Sequence, residues 1–301
     1  MKKIVIITGL TASGKSGLAI EIAKKYNGEI ISADSVQIYR GLDIGSAKES
    51  KETMSNVSHH LIDIKNPDEK YNVGEFVEDC KNAITDIISR NKLPIIVGGT
   101  GLYVKALLEG YSLGSTANTE LREKYQKLAE INGNKYVWNI LNEISPEKAK
   151  TVHFNNLKRV IRYIEIELNP NQKESTKTNS ILEDYNVLSI GVIADREVIY
   201  NKINKRVDIM IADGLEQEVT NLKNQGITRE NQSVTSIGYR EWFDYFEGKI
   251  SKQEVIDLIK QHTRNYCKRQ LTFLKTIKSI ELLDKAQAKK RIEEFLNDWN
   301  W

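Results

Sequence analysis

The sequence predicts an α/β fold, a parallel sheet flanked by helices and interrupted by a helical insertion, and three observations carry that expectation. Short β-rich apolar runs at 4–7, 29–33, 93–97 and 187–194 read as strands. The segments between the first three place apolar residues three and four apart, as helices lying on a sheet do. After Tyr111 the texture changes to helical stretches with polar breaks. Strands separated by helices imply a parallel sheet with ligands at its carboxyl edge.

The first strand, KKIVIITG, runs into a glycine-containing turn and a helix marked by Leu18, Ile22 and Ala23. The second ends on Asp34-Ser35. A crossover helix follows, with Phe76, Val77, Cys80, Ala83, Ile84, Ile87 and Ile88 on one face. The third strand runs into Gly98-Gly99-Thr100-Gly101 and a helical LYVKALLEG. SLGSTANTE then has little apolar content, and the next stretch reads as helices broken by NPNQKESTKTNS. These features divide the chain into a core of 1–112 and 186–301 and a helical insertion domain of 113–185. The strand at 187–194 returns to the sheet, and from Glu197 the pattern is helical to the end apart from a loop at 226–238.

Of the 301 residues 40% are hydrophobic and 28% charged, enough apolar material for a globular core and too much for disorder, collagen or coiled coil. Forty-four Lys and Arg against 41 Asp and Glu give +3, so a polyanionic partner must be met by a local patch. The apolar run at 4–7 is far short of the roughly 20 residues of a membrane span and too short for a signal peptide. Cys80 and Cys267 stand far apart with no CxxC spacing, which offers neither a disulfide framework nor a zinc site. A reducing, cytoplasmic setting without membrane attachment is expected.

Residues 9–16, GLTASGKS, satisfy G-x-x-x-x-G-K-[ST] between a predicted strand and a predicted helix, the context of a P-loop. Gly9, Leu10, Thr11, Ala12, Ser13 and Gly14 form the turn whose N–H groups face an anion, helped by the helix dipole. Lys15 adds a point charge and Ser16 a hydroxyl suited to Mg²⁺. The motif predicts a P-loop NTPase-like sheet and a diphosphate or triphosphate ligand. The strand at 93–97, however, has no Walker-B Asp after it. The carboxylate follows the second strand instead, at Asp34, a candidate base or metal ligand; an Asp-Ser helix cap is the other reading.

An ordered series of segments resembles the bacterial tRNA dimethylallyltransferases, also called tRNA isopentenyltransferases: GLTASGKS, DSVQIYRGLDIGSAK at 34–48, HHLID at 59–63, GGTGLYVKALLEG at 98–110, NNLKRVIRYIEI at 155–166, RVDIMIADGLEQEV at 206–219, SIGYREW at 236–242 and TRNYCKRQLTFLK at 263–275. The resemblance implies transfer of a dimethylallyl group from its diphosphate to the exocyclic amine (N6) of the adenosine beside the anticodon, in tRNAs reading codons that begin with U, with release of pyrophosphate. It implies Asp34 as general base, Thr11 as a hydroxyl near the reacting groups, and Arg206, read as opening a helix with RVDIM, on the departing diphosphate. Ser35, Val36 and Gln37 resemble the segment holding the flipped nucleotide, and Thr100 and Arg122 resemble further tRNA contacts. Arg159 and Arg162, three apart on one helix face, resemble contacts to the anticodon loop. Mg²⁺ is the expected cofactor and a monomer the expected state.

Between Lys260 and Lys278 there are six basic residues and no acidic one. Lys260, Arg264 and Lys268 recur at four, so one face of this helix meets phosphates or is merely solvated. His59 and His60 are adjacent and diverge on either a strand or a helix, which favours polar-network roles over a metal pair. Leu10 replaces the family's usual Pro, with its side chain expected to point away from the anion, and Tyr163-Ile164 replaces Arg-Ala. There is no Cys/His zinc-finger extension, which favours a bacterial source. The competing readings are a small-molecule kinase, an isopentenyltransferase acting on free adenine nucleotides, and a noncatalytic RNA-binding protein.

Overall fold

The computed structural model describes residues 2–110, 118–168 and 180–299. In chain order the elements are β1 Lys3–Gly9, α1 Lys15–Lys25, β2 Gly28–Ser32, α2 Lys51–Asn56, β3 His59–His60, α3 Val73–Ser89, β4 Leu93–Val97 and α4 Gly101–Glu109. There follow α5 Thr119–Asn132, α6 Asn134–Ile144, α7 Pro146–Lys150 and α8 Leu157–Leu168. The chain continues through β5 Asn186–Val192, α9 Arg196–Ala212, α10 Leu215–Asn224, a short 3-10 turn Gln232–Thr235, α11 Glu241–Phe246, α12 Lys252–Leu274, β6 Glu281–Leu283 and α13 Lys285–Phe295.

The six strands form one sheet in the order β3-β2-β4-β1-β5-β6, every pair parallel. Strand alternation sends Ile4, Ile6, Ile31 and Ile96 into one apolar layer and Val5, Ile7, Ile30, Ile95 and Val97 into the other. Both faces are therefore covered, as a parallel sheet requires. Val97 pairs with Ile7 on one side and Ser32 on the other, so β1, β2 and β4 end level and their exit loops share one edge.

The chain divides into two compact units, Met1–Glu109 with Ser180–Trp301, and Gly110–Asn179. The second is a helical unit of α5 to α8 around Tyr125, Val137, Leu141, Val160 and Ile164. Its span differs from the expected 113–185 because Leu182 is buried with the sheet layer. Most of the expected breaks at 112–120 and 169–180 lies outside the described residues.

Three expectations about the second half are corrected. The chain is not helical throughout after Glu197, since β6 adds an edge strand to β5. The RVDIM segment does not open a helix; Arg206 lies within α9, ten residues after its start at Arg196. The basic helix ends at Leu274, short of 278, so Lys275 falls on the terminating turn.

Candidate active site

Leaving β1 at Gly9, the phosphate loop enters α1 at Lys15. Gly14 caps the helix at φ 86°, left-handed backbone that glycine adopts without a Cβ penalty. Ala12 takes a similar φ of 60°, and packing holds it there: Leu10 and Ala12 are buried with Ile199, Ile203 and Cys267. The Leu10 N–H donates to Val192 O at 3.1 Å, Thr11 N–H to Gln270 Oε1 at 2.9 Å and Ser13 N–H to Leu10 O at 3.2 Å. These three amides, expected to face the anion, are thus engaged by the protein. The donors suited to an anion shift to the start of α1, where first-turn N–H groups lack helical partners.

Lys15 and Arg206 supply the charge. The Lys15 Nζ donates to Leu10 O at 3.3 Å, and burial, with Arg206 nearby, pulls its pKa down to about 8. Burial also lowers the Arg206 pKa, with Glu49 opposing. Two poorly solvated cations of like sign favour an anion between them. Both line a cavity of about 200 Å³ with Gly14, Ser16, Asp34 and Gly98.

Asp34 follows β2 and does what a capping residue does: its Oδ1 accepts from Val36 N–H at 2.9 Å and Gln37 N–H at 3.4 Å. It also lines both the phosphate cavity and a larger one of about 390 Å³, so the capping and site readings describe the same side chain. Thr11 and Arg206 stand on both walls too, with Arg206 Nη1 at 3.5 Å from Thr11 Oγ1. Ser35, Val36 and Thr100 line the larger cavity. Thr100 Oγ1 orders Ser35, accepting its N–H at 3.1 Å. Gln37 faces the smaller cavity but has its amide spent on Ser46 O and Ala47 O, each at 3.3 Å.

Within the helical unit, Arg122 and Arg162 converge on buried Glu165, with Nη2 and Nη1 each 2.8 Å from Oε2. Burial pushes the Glu165 carboxyl up, yet the two arginines and Asn118 N–H outweigh it and hold the pKa below its usual value. Arg159 is exposed, its Nε donating to Tyr163 OH at 3.0 Å. On α12, Lys260 pairs with Asp208 at 2.5 Å and Arg264 Nη1 donates to Asn204 at 2.7 Å, so both lie against α9. Lys268 is exposed. His59 and His60 diverge: His60 Nε2 meets Glu29 at 2.7 Å, while His59 Nδ1 meets Val57 O at 2.7 Å and lines the phosphate cavity.

The IPP transferase family matches residues 37–277, and the isopentenyl transferase family residues 2–69. The chain belongs to the IPP transferase family. Among similar IPP transferases, a tRNA dimethylallyltransferase of Bacillus anthracis is 45% identical over 297 residues, spanning 97% of this chain and 94% of its own length. The crystal structure of a tRNA isopentenylpyrophosphate transferase from Bacillus halodurans matches at 39% identity and a TM-score of 0.73, over 99% of this chain and 96% of that one. A eukaryotic dimethylallyltransferase acting on tRNA matches at 28% identity and a TM-score of 0.77, over 99% of this chain and 79% of its own.

Sequence reading assigned no role to several residues that complete the cavities of this IPP transferase. Ile203, Val207 and Met210 give the larger cavity an apolar wall, while Arg240, Tyr266 and Arg269 bring polar groups. Tyr266 OH donates to Gly99 O at 3.1 Å, and burial with Asp34 nearby pushes its pKa up to about 12. Arg240, Tyr266 and Arg269 lie within segments quoted for the family resemblance, but helical spacing alone could not show which side chains turn inward.

Proposed function

We propose that this chain transfers a dimethylallyl group from dimethylallyl diphosphate to the N6 amine of an adenosine beside the anticodon of tRNA. One observation carries the reading: Thr11, Asp34 and Arg206 line both a phosphate-loop cavity and a larger cavity with an apolar wall. That arrangement suits one ligand's diphosphate meeting a second ligand's nucleophile. The names of the relatives support tRNA as the acceptor.

The diphosphate lies in the smaller cavity, against the first-turn amides of α1, Lys15 and Arg206. These groups neutralise charge that grows on the leaving diphosphate as the allylic carbon–oxygen bond stretches. The adenosine leaves its stack, at a cost of a few kcal/mol, and enters the larger cavity past Ser35, Val36 and Thr100. An aromatic amine is a weak nucleophile, its lone pair being delocalised, so Asp34 removes its proton as the new bond forms. Thr11 Oγ1 lies beside the same centre.

Ser16 lines the phosphate cavity. Among the described residues no group of three or more His, Cys, Asp and Glu is placed to hold a metal. Such a sparse oxygen set suits Mg²⁺, which keeps waters and takes its other ligands from a diphosphate. When bound, the ion would supply charge neutralisation at the leaving group. Arg159 and Lys268, exposed, are the tRNA-phosphate contacts, and the groups named for chemistry come from one chain, consistent with a monomer.

Mass spectrometry of adenosine from unmodified tRNA incubated with the protein, dimethylallyl diphosphate and Mg²⁺ tests the reading. Prenylated adenosine is expected. Asp34→Asn should lower single-turnover transfer by about 10²- to 10⁴-fold, the usual worth of a positioned base, with tRNA affinity kept. Near-normal transfer by Asp34→Asn would remove it from the base role.

A further inference from the structure

We propose that Gln270 is a positioning residue for the transfer, setting the phosphate loop against the turn that follows β4. Its side chain is buried on α12, where a polar group must find partners. The amide satisfies both ends across two loops: Oε1 accepts Thr11 N–H at 2.9 Å, and Nε2 donates to Gly99 O at 3.0 Å. Tyr266, one helical turn earlier, donates to the same carbonyl at 3.1 Å and uses its second lone pair. The amide lies close over Gly99, where a Cβ would be 2.8 Å from Gln270 Nε2 and would push the side-chain amide aside.

Only a group that accepts and donates at once meets this geometry. A carboxylate would keep the Thr11 bond and set an oxygen against Gly99 O; an apolar side chain would leave the Thr11 N–H without this partner in a buried place and Gly99 O with Tyr266 alone. The bonds continue from Gly99 to Thr100, which orders Ser35, the neighbour of Asp34. Gln270 therefore ties the main chain of Thr11 to the loop beside Asp34 while itself not lining either of the two cavities. Displacing a reacting group by about 1 Å costs up to about 10² in rate.

The inference rests on the transfer reading for its activity arm, and amide exchange supplies an arm that does not. Gln270→Met should speed hydrogen exchange at the Thr11 amide at least about tenfold and lower single-turnover transfer by about 10- to 100-fold, with tRNA affinity unchanged. Gln270→Glu should work best at low pH, because a protonated carboxyl both accepts and donates. Its rate relative to the unaltered protein should fall as pH rises through a carboxyl pKa raised by burial. Unchanged Thr11 exchange in Gln270→Met, or matching pH profiles for Gln270→Glu and the unaltered protein, would overturn the proposal. If the unaltered protein transfers nothing, the function reading fails and Thr11 exchange alone decides the role of Gln270.

Discussion

Lys15 carries a charge that its surroundings solvate poorly, and that makes it a reporter for what binds there. Its proton is lost near pH 8 in the ligand-free site, against about 10.4 for an ordinary lysine. An anion seated beside it favours the charged form, so the complex keeps the proton to higher pH than the free protein does. Between about pH 8 and 10, binding therefore takes up a proton at Lys15 and affinity falls as pH rises. Calorimetry of pyrophosphate binding at about pH 8.5, in buffers of different ionisation heat, should show more proton uptake by the unaltered protein than by Lys15→Met. The comparison isolates Lys15 because the ligand's own titration is common to both. Equal uptake would mean that the anion does not sit against this ammonium. The same depressed pKa costs stability wherever Lys15 is charged in the folded state. Lys15→Met should therefore raise the Tm at pH 7, with a gain that shrinks as pH climbs from 8 towards the unfolded value.

In the second unit the element that matters is α8, because its inward face carries a carboxylate as well as Val160, Ile161 and Ile164. Glu165 ties α8 to α5 through Arg122 and caps the chain entering α5 through Asn118 N–H at 2.6 Å. Removing Arg122 or Arg162 leaves the buried charge with fewer donors. Each alanine variant should lose about 1.5–3 kcal/mol, the worth of a charge-assisted hydrogen bond, read by urea unfolding. Because the Glu165 pKa is lowered, its contribution is present above the unfolded value of about 4.3 and is lost as pH falls. A tRNA-binding defect in these variants with stability unchanged would instead return both arginines to the RNA. Here the limits of sequence reading become physical. Apolar periodicity exposed β1, β2, β4, β5 and the crossover helix, since each buries a face over five or more residues. It missed β3 and β6, of two and three residues, whose pairing comes from neighbouring strands rather than from a pattern of their own. Thr11, Asp34 and Lys15 were legible because a phosphate loop and a strand-end carboxylate are local features. Gln270 was not, since its meaning depends on partners 259 and 171 residues away.

At the scale of the whole molecule, a net charge of +3 over 301 residues gives little long-range attraction, so under the proposed function tRNA would be gripped by particular cations. A basic stripe in the sequence does not say which ones are free to do so. Lys260 and Arg264 hold α12 against α9 through Asp208 and Asn204, whereas Lys268 and Arg269 are exposed beyond them. A cation engaged by its own protein releases few counterions when RNA arrives, and an exposed one releases more. Replacing Lys268 with alanine should therefore flatten the plot of log affinity for tRNA against log salt by about 0.7–0.9. Transfer at saturating tRNA should survive, because Asp34 and Lys15 are untouched. Lys260→Ala with Arg264→Ala should lower the Tm and leave the salt slope nearly unchanged. The reverse outcome, a flattened slope only in the Lys260 and Arg264 pair, would mean that these cations leave α9 to meet phosphate, and that the α9–α12 contact is remade when tRNA binds.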